Sequence, residues 1–298
     1  MGLAFTKIAL VGRPEDERVI EPMQQLADHL AGSGVELYSA STGIDDKVTV
    51  VDEATLSDTA DLIVAVGGDG TMLYAGALAR KNDIPLLGVN RGRLGFLADV
   101  TPDEMTASLD QVLAGNYSRE SRVLMRATLS SDGKTKTAFG INDVVLQRRE
   151  TGRMVDFETW IGDHYVNTHS GDGMIVATPT GSTAYALSCG GPIVSPQLDA
   201  LVLVPVAPHT LTDRPIVIPS HQTVEVVIVE RDDIKAEITV DGILLGEIKP
   251  GDRLSIGPSE GRVTLIHPPG YDYFDILRSK LYWGRDSRNR GTPGDRVN

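Results

Sequence analysis

The chain has 298 residues, of which 41% are hydrophobic, and its 28 basic and 41 acidic side chains give a formal net charge of −13. A chain of this length and composition can bury a sizeable core and is expected to form two domains. The negative charge argues against general binding to nucleic acid or to an anionic membrane, which both need cationic surfaces. Cys189 is the only cysteine, so no internal disulfide can form and a reducing, cytoplasmic location is expected. The sequence contains no run of eighteen or more apolar residues, so no membrane span is expected.

The first third of the sequence alternates strand-like and helix-like segments. Short apolar runs at 8–11, 35–38, 62–66 and 86–89 predict strands. Two apolar stripes of helical period predict helices, one ending at Gly32 and one following Pro102. This βαβα order predicts a mainly parallel sheet that binds ligands at the carboxyl ends of its strands.

A glycine-rich loop with one acid follows the third of these strands. It reads Gly67, Gly68, Asp69, Gly70, Thr71 and leads into a helix predicted to begin near Thr71. Glycines let backbone amides approach a ligand, and a helix start carries unpaired N–H groups, so the loop is expected to bind phosphate. Asp69 is either a helix cap or a group that takes a proton from a nucleophile or helps to hold a metal. The loop fits neither the Walker pattern nor the dinucleotide fingerprint.

A second glycine-rich stretch covers residues 88–96 and follows the next predicted strand. In a parallel sheet it would lie beside the first loop. Its arginines, Arg91 and Arg93, would then neutralise phosphate charge, unless they are ordinary solvated loop charges.

A polar pair, Asn142 and Asp143, precedes the apolar pair Val144 and Val145. At the start of a strand, such side chains can hydrogen-bond the vicinal hydroxyls of a sugar. Turns that enter strands use the same residue types, so a plain turn is the alternative.

From about residue 123 the pattern changes to short β-rich runs separated by turn residues. They lie at 123–129, 144–147, 157–161, 174–177, 201–206, 224–229 and 263–266, and they predict a sandwich-like β domain. A short amphipathic helix over about 272–283 is expected to pack back on the body. The expected organisation is therefore an α/β domain over 1–122, a β-rich domain over 123–271 and a mobile polar tail over 284–298.

Small polar residues are densest on either side of the predicted strand at 174–177. Ser170, Gly171, Asp172 and Gly173 precede it, and residues 178–185 read TPTGSTAY. Small residues permit close backbone approach, hydroxyls can read a purine edge, and Tyr185 can stack on a ring. A plain loop with a capped helix is the alternative interpretation.

Two further features are interpreted structurally. Asp241 and Gly242 separate two short apolar runs and predict a hairpin turn. His169 is interpreted as a surface or structural histidine, because no metal-ligating partners stand at suitable spacing. His209 is interpreted as a turn residue or a hydrogen-bonded interface residue.

Together these motifs resemble those of the NAD kinase family, whose signatures are a GGDG loop, an Asn–acid pair that opens a strand, and a Ser-Asp-Gly element followed by TPTGSTAY. The resemblance covers nearly the whole chain and includes residues 90–96. The GGDG loop also occurs in lipid kinases and related sugar kinases, whereas the complete TPTGSTAY at 178–185 is highly specific. The implied fold is an N-terminal Rossmann-like α/β domain with a C-terminal β-sandwich-like domain.

The resemblance implies transfer of a phosphoryl group from ATP, which carries Mg²⁺, to the 2′-hydroxyl of the adenosine ribose of NAD. The α/β domain would bind the phosphate donor, the β-rich domain would bind NAD, and Asp69 would accept the hydroxyl proton. The implied binding residues are Gly67, Gly68, Gly70 and Thr71 at phosphates, Asn142 and Asp143 at ribose hydroxyls, Thr183, Ala184, Tyr185 and Ser188 around the adenine, Asp172 at the nicotinamide side, and Arg153 and Phe96 beside the substrate. Ser170, Ala186 and Leu187 are also implied as binding residues.

Two positions depart from the family pattern, since Asp143 replaces the usual Glu and Gly171 replaces a usual Ser. The small Ser170 leaves NADH possible as a second substrate. A homo-oligomer, either a dimer or a tetramer, is also implied. A lipid kinase of the same superfamily and a non-catalytic NADP-sensing module are the alternatives, and a hydride-transferring dehydrogenase is disfavoured by the incomplete fingerprint.

Overall fold

The structure is a computed structural model that describes residues 2–13, 15–92, 95–149, 154–229 and 236–283. Arg93, Arg153 and the tail at 284–298 lie outside the described residues. Within the described ranges, no helix combines the length and the apolar composition needed to cross a membrane.

The first part of the chain forms a parallel sheet with helices packed against it, as its alternating pattern predicts. Its elements are β1 (Lys7–Gly12), α1 (Glu17–Leu30), β2 (Glu36–Ser39), β3 (Val48–Val50), α2 (Glu53–Thr59), β4 (Leu62–Val66), α3 (Asp69–Ala79), β5 (Leu86–Val89) and α4 (Met105–Leu113). The strands lie side by side in the order β5-β4-β1-β2-β3, and every pairing among them is parallel. Every residue of β4 is buried, which explains its unbroken apolar run.

The remainder of the chain is dominated by antiparallel strands. They are β6 (Ser118–Ser131), β7 (Lys134–Gly140), β8 (Asp143–Arg148), β9 (Val155–Ile161), β10 (His164–Gly171), β11 (Gly173–Ala177), β12 (Ala200–Val206), β13 (Ile216–Pro219), β14 (Val224–Ile228), β15 (Ala236–Val240), β16 (Ile243–Ile248) and β17 (Arg253–His267). Two helices accompany them, the one-turn α5 (Tyr185–Ser188) and α6 (Tyr273–Leu281).

These strands form two facing layers, which confirms the predicted sandwich-like architecture. In the described part of the chain, one sheet has six strands in the order β13-β12-β11-β8-β15-β16. It packs on β6, β9, β14 and β17 through a buried apolar core that includes Phe157, Met174 and Leu254. This packing fixes β8 and β11, whose ends carry the two polar motifs.

Strand β17 joins the two parts of the molecule. It pairs antiparallel with β6 and β14, and near its end Leu265 pairs in parallel with Leu86 of β5. The parallel sheet and one layer of the sandwich are therefore one continuous eleven-stranded sheet within the described residues. The domain boundary expected after residue 122 falls inside β6, so the division into two domains stays a prediction.

Candidate active site

The glycine-rich loop lies at the carboxyl end of β4, where the parallel sheet is expected to bind ligands. Helix α3 begins at Asp69, two residues earlier than predicted, because the extended Gly68 serves as its N-cap. Asp69 is therefore the first helical residue, and its carboxylate makes no capping hydrogen bond, so the interpretation of Asp69 as the helix cap is wrong. The start of a helix leaves backbone N–H groups without intrahelical partners, which is the arrangement that can bind a phosphate.

The carboxylate of Asp69 is held by the second glycine-rich stretch. Its Oδ2 accepts a hydrogen bond from Phe96 N at 3.2 Å, and its Oδ1 accepts one from Leu97 N at 3.0 Å. Gly95 approaches so closely that an added Cβ would stand 2.4 Å from Asp69 Oδ1. The two glycine-rich stretches are thus neighbours, as predicted, and together they orient one carboxylate.

Arg91 has a partner other than a phosphate. Its Nη1 lies 2.8 Å from Oδ2 of Asp16, the residue that caps helix α1. A Cβ added to Gly68 would lie 3.7 Å from Arg91 Nη2. The guanidinium is therefore beside the phosphate loop, residues 67–71, while it is paired with Asp16. The sequence did not reveal this pairing because 75 residues separate the two side chains.

The Asn142–Asp143 pair opens β8 from a turn that the hairpin tip holds in place. Asp241 forms the predicted hairpin turn with Gly242, since both have positive φ and Val240 pairs with Ile243. Its carboxylate also accepts hydrogen bonds from the backbone N–H groups of residues 141, 142 and 143, at 2.8, 2.8 and 3.0 Å. Sequence reasoning identified the turn but missed this contact.

The TPTGSTAY segment holds the same turn from the other side. Thr178 N donates to Asn142 O at 2.9 Å, and Thr178 Oγ1 donates to Ile141 O. A Cβ on Gly181 would lie 2.1 Å from Asn142 O, so only glycine permits this approach of the two backbones. The first half of the motif therefore shapes the polar pair through its backbone.

A buried charged network supports Thr180 of this segment. Arg122 Nη1 donates to Thr180 Oγ1 at 3.4 Å, and Arg122 Nη2 lies 2.9 Å from Glu120 Oε2. His267 bridges Glu120 at 3.0 Å and Asp99 at 2.8 Å. Burial lowers the pKa of His267, but its hydrogen bonds to the two acids outweigh burial and raise the pKa above its ordinary value.

Asp143 is a buried carboxylate at the wall of a small cleft. The residue is only 7% exposed, and burial together with the negative charge of Asp241 raises its pKa to about 6. The cleft measures about 290 Å³ and is also lined by Asn142, Ala184 and Tyr185. The structure thus brings the polar pair together with the end of the TPTGSTAY segment, as a ribose and purine site requires.

Other predicted residues of α5 and its approach do not line this cleft. Ala186 is fully buried in an apolar cluster with Val145 and Ile175, so its side chain is not exposed in the cleft. Thr183 Oγ1 donates to Thr180 O at 3.2 Å. Leu187 and Ser188 follow on the same turn and are likewise not among the lining residues.

The predicted nicotinamide-side residues lie at the junction of β10 and β11. Asp172 is engaged by Arg148, whose Nε lies 2.8 Å from Oδ1 and whose Nη2 lies 3.3 Å from Oδ2. Ser170 accepts a backbone bond from His209 N at 2.8 Å. Neither Ser170 nor Asp172 lines the cleft beside Asp143. Arg148, at the end of β8, was not singled out from the sequence.

A larger cleft of about 680 Å³ adjoins the first one. Its walls include Gly70 and Thr71 of the phosphate loop, Arg13 from the end of β1, and apolar side chains such as Tyr74 and Phe139. The two clefts share Leu73, one turn along α3 from Asp69, and Asp241. Asp69 itself lines neither cleft, although Gly70 and Thr71, which follow it on α3, line the larger one.

The acids near the clefts do not form a metal cage. Within the described residues, no group of three or more His, Cys, Asp or Glu side chains is arranged to hold a metal ion. Mg²⁺ that accompanies a nucleotide needs only one or two protein carboxylates, because phosphate oxygens and water supply the other ligands. Asp69, on the phosphate loop, has the oxygen chemistry for such a contact.

Comparison with known proteins identifies the class of enzyme to which this fold and site belong. Residues 8–117 match the family model of the ATP-NAD kinase N-terminal domain, and residues 141–268 match that of the C-terminal domain. The chain belongs to the NAD kinase family.

Relatives and solved structures agree with this assignment. The chain is 41% identical to an NAD kinase of Nitrosococcus oceani over 290 residues, which cover 96% of this chain and 99% of the relative. It is also 41% identical to an NAD kinase of Hahella chejuensis over 292 residues, covering 96% and 98%. These full-length matches leave the lipid-kinase alternative without support.

Two solved structures share the fold. Yeast NADH kinase complexed with NADH superposes with a TM-score of 0.86 at 22% identity, covering 96% of this chain and 89% of that one. An NAD kinase from Archaeoglobus fulgidus in complex with ATP gives a TM-score of 0.69 at 26% identity, covering 92% and 99%. At 22% identity, the first of these likenesses establishes the fold alone.

Proposed function

We propose that this chain transfers the γ-phosphoryl group of ATP to the 2′-hydroxyl of the adenosine ribose of NAD, giving NADP and ADP. The proposal rests above all on the two adjoining clefts, one lined by the phosphate loop and one by Asn142 and Asp143, which share Leu73 and Asp241. Family membership supports the reaction, and this arrangement supports a separate binding place for each substrate.

In this proposal ATP occupies the larger cleft. Backbone N–H groups at the start of α3, with the positive end of its dipole, stabilise phosphate charge, and Arg13 adds a cationic side chain. Apolar walls such as Tyr74 and Phe139 suit a purine. The division of labour proposed from the sequence, with the donor on the α/β part and NAD on the β-rich part, is consistent with these linings.

The adenosine of NAD occupies the smaller cleft. Asn142 and Asp143 hydrogen-bond its ribose hydroxyls, and Tyr185, which is 43% exposed, contacts the adenine. Asp143 must accept hydrogen bonds from these hydroxyls in its ionised form, so NAD binding opposes the raised pKa of this group. Phe96 and Asp172 remain proposed contacts for the rest of the dinucleotide, as does Arg153, which lies outside the described residues.

Asp69 takes the proton of the 2′-hydroxyl as the oxygen forms its bond to the γ-phosphorus and the bond from phosphorus to the β-γ bridging oxygen of ATP breaks. The Phe96 and Leu97 amides fix the carboxylate without using all of its lone pairs, so it can still accept the proton. Positioning of the two substrates and electrostatic stabilisation of the transition state supply most of the remaining rate enhancement, as in other phosphoryl transfers. Mg²⁺ carried by ATP would supply charge neutralisation to the phosphates, and Asp69 would stay free of the ion so that it can act as the base.

We also propose a homo-oligomeric, cytoplasmic protein. The edge strand β13 exposes the apolar side chains of Ile216 and Val217, which a second copy could cover. A lone cysteine, Cys189, suits a reducing compartment.

The direct test incubates the purified protein with Mg-ATP and either NAD or NADH and detects the 2′-phosphorylated product with an NADP-specific dehydrogenase. We expect product from NAD, and the NADH arm decides whether the small Ser170 permits the reduced substrate. Absence of product from both dinucleotides would refute the proposed activity.

A further inference from the structure

The side chain of Asp241 does something that its hairpin turn does not require. The Asp132–Gly133 turn between β6 and β7 has the same left-handed backbone, with φ of 50° and 71° against 49° and 79° at Asp241 and Gly242. In that turn the carboxylate points to solvent and pairs with Lys249 at 2.7 Å. An Asp–Gly turn of this kind therefore forms without a hydrogen bond from its carboxylate to a neighbouring turn. The contact of Asp241 with residues 141–143 needs another explanation.

The contact joins the hairpin tip to the turn that carries the proposed ribose-binding pair. Asp241 Oδ1 accepts from Asn142 N and Asp143 N, Oδ2 accepts from Ile141 N, and Asp241 N donates back to Asp143 O at 2.9 Å. Successive N–H groups that converge in this way form an anion-binding concavity. Here the protein fills that concavity with its own carboxylate.

We infer that Asp241 is a positioning residue for the dinucleotide: it fixes the turn at 141–143 so that Asn142 and Asp143 face the ribose, and it places a negative charge beside Asp143. This inference rests on the proposed function. A catalytic role for Asp241 itself is disfavoured because both of its oxygens are engaged by backbone N–H groups. Although Asp241 lies on the walls of both clefts, it binds the backbone of Asn142 and Asp143, which line only the smaller cleft, so the effect should be greatest at the ribose.

The charge of Asp241 gives the inference a signature that a purely structural role lacks. Among the described residues, the titratable groups that interact with the Asp143 carboxylate are Asp241, from the hairpin, and Tyr185, which is neutral below pH 10. Burial and the charge of Asp241 both raise the pKa of Asp143. With a neutral amide at position 241, only burial would raise the pKa of Asp143. Asp143 would then ionise at lower pH than in the unmodified chain.

The test compares Asp241→Asn with Asp132→Asn, the same substitution in the same kind of turn. NAD affinity is measured by calorimetry without ATP from pH 5 to 8, and KM for ATP is measured at saturating NAD. For Asp241→Asn we expect NAD affinity at pH 7.5 to fall at least tenfold, about 1.4 kcal/mol, with KM for ATP within about twofold. We also expect the midpoint of the loss of NAD binding at acid pH to move to lower pH. Asp132→Asn should match the unmodified chain in all three quantities.

Two results would overturn the inference. One is equal behaviour of the two variants, and the other is an equal loss for NAD and ATP with an unmoved acid midpoint, which would indicate a general structural role. If Asp241→Asn does not fold, Gly140→Ala is the substitute, because its Cβ would stand 3.1 Å from Val240 Cγ1, closer than an ordinary contact, and would push on the residue before Asp241. A smaller loss of the same selectivity is then expected, and NAD affinity unchanged from the unmodified chain would reject the inference.

Hydrogen exchange separates this inference from the proposed function. The amides of residues 141–143 should exchange faster in Asp241→Asn than in Asp132→Asn, whether or not NAD is the substrate. Where Gly140→Ala replaces Asp241→Asn, the same comparison applies to it. Unmodified protein that makes no NADP would refute the function and leave this exchange difference intact. Suppose instead that the unmodified protein makes NADP. The positioning role alone would then be refuted if these amides exchange equally fast in Asp132→Asn and in the Asp241 or Gly140 variant.

Discussion

Gly95 lies directly against the carboxylate of Asp69, with space for a hydrogen but not for a methyl group. An added Cβ would stand 2.4 Å from Oδ1, which is well inside van der Waals contact. The glycine therefore lets the second loop approach closely enough for the amides of Phe96 and Leu97 to bind the carboxylate. The geometry of the proposed base thus depends on a residue with no side chain.

Gly95→Ala should reduce turnover while leaving the acid in the protein. The new methyl group displaces Asp69 or the segment after Gly95, and a small misplacement of a catalytic group is costly. We expect kcat to fall at least about tenfold with KM for NAD changed much less. Steady-state kinetics measure both values, and unchanged kcat would show that the position of the carboxylate is not critical.

Asp69→Asn should lower kcat by about 10² to 10⁴, or roughly 3 to 5 kcal/mol of barrier, because general-base catalysis is lost. Much of the NAD affinity should remain, since the ribose is held elsewhere. Asp52→Asn is the matched control: Asp52 caps helix α2 by accepting from Thr55 N at 2.7 Å, and asparagine caps equally well. Near-native turnover of the Asp69 variant would reject Asp69 as the base.

Gly181→Ala should weaken NAD binding with little effect on ATP. Its Cβ would meet Asn142 O at 2.1 Å, so the turn that carries Asn142 and Asp143 must move. Such overpacking costs about 1–3 kcal/mol of stability, and we expect NAD affinity to fall at least about tenfold. Gly261→Ala is the control, because its nearest neighbour would lie at an ordinary 3.7 Å. Equal NAD affinity in the two variants would contradict the clamped turn.

The raised pKa of Asp143 predicts how stability depends on pH. Because its pKa is about 6 in the folded protein and 3.8 as a model value, the folded state binds the extra proton. The binding of this proton adds about 3 kcal/mol to the free energy of unfolding. This stabilisation is fully present below about pH 4 and is lost as pH rises through 6. Asp143→Asn should therefore unfold at a higher temperature than the unmodified protein at pH 7.5, with the difference shrinking towards pH 4.

Thermal denaturation at both pH values checks this prediction. The exposed Asp103 supplies the control, since Asp103→Asn makes the same substitution at a solvent-exposed site. A gain for Asp143→Asn that is as large at pH 4 as at pH 7.5 would rule out titration of this carboxylate as the cause.

The sequence predicted the fold well wherever burial leaves a periodic apolar pattern. β4 is buried along its whole length and was located within its bounds, as was β8, in which the buried residues 144–146 form an apolar run. By contrast, β7 was missed because most of its residues are exposed and polar, and β10 was missed because only two of its residues are buried. These strands form through pairing with neighbours, which a local pattern does not encode.

The candidate site was predictable to the extent that its residues lie in compact motifs. The phosphate loop, the polar pair and TPTGSTAY each span a few residues, and the structure brings parts of all three to adjoining clefts. Contacts between motifs were not predictable: Asp241 reaches Ile141 across 100 positions, and Arg148 reaches Asp172 across 24. The inward side of Ala186 was missed because a one-turn helix offers no periodicity from which to infer a buried face.

The fifteen-residue strand β17 has a consequence for how the molecule can move and be divided. Its pairings with β6, β14 and β5 tie both halves into one sheet, and separate expression of either half would strip a partner from β5 or β17 and leave an unpaired edge that favours aggregation. Movement of one half as a rigid body would have to break the pairing between β17 and β5, whereas loops at the rim of the clefts can move without breaking it.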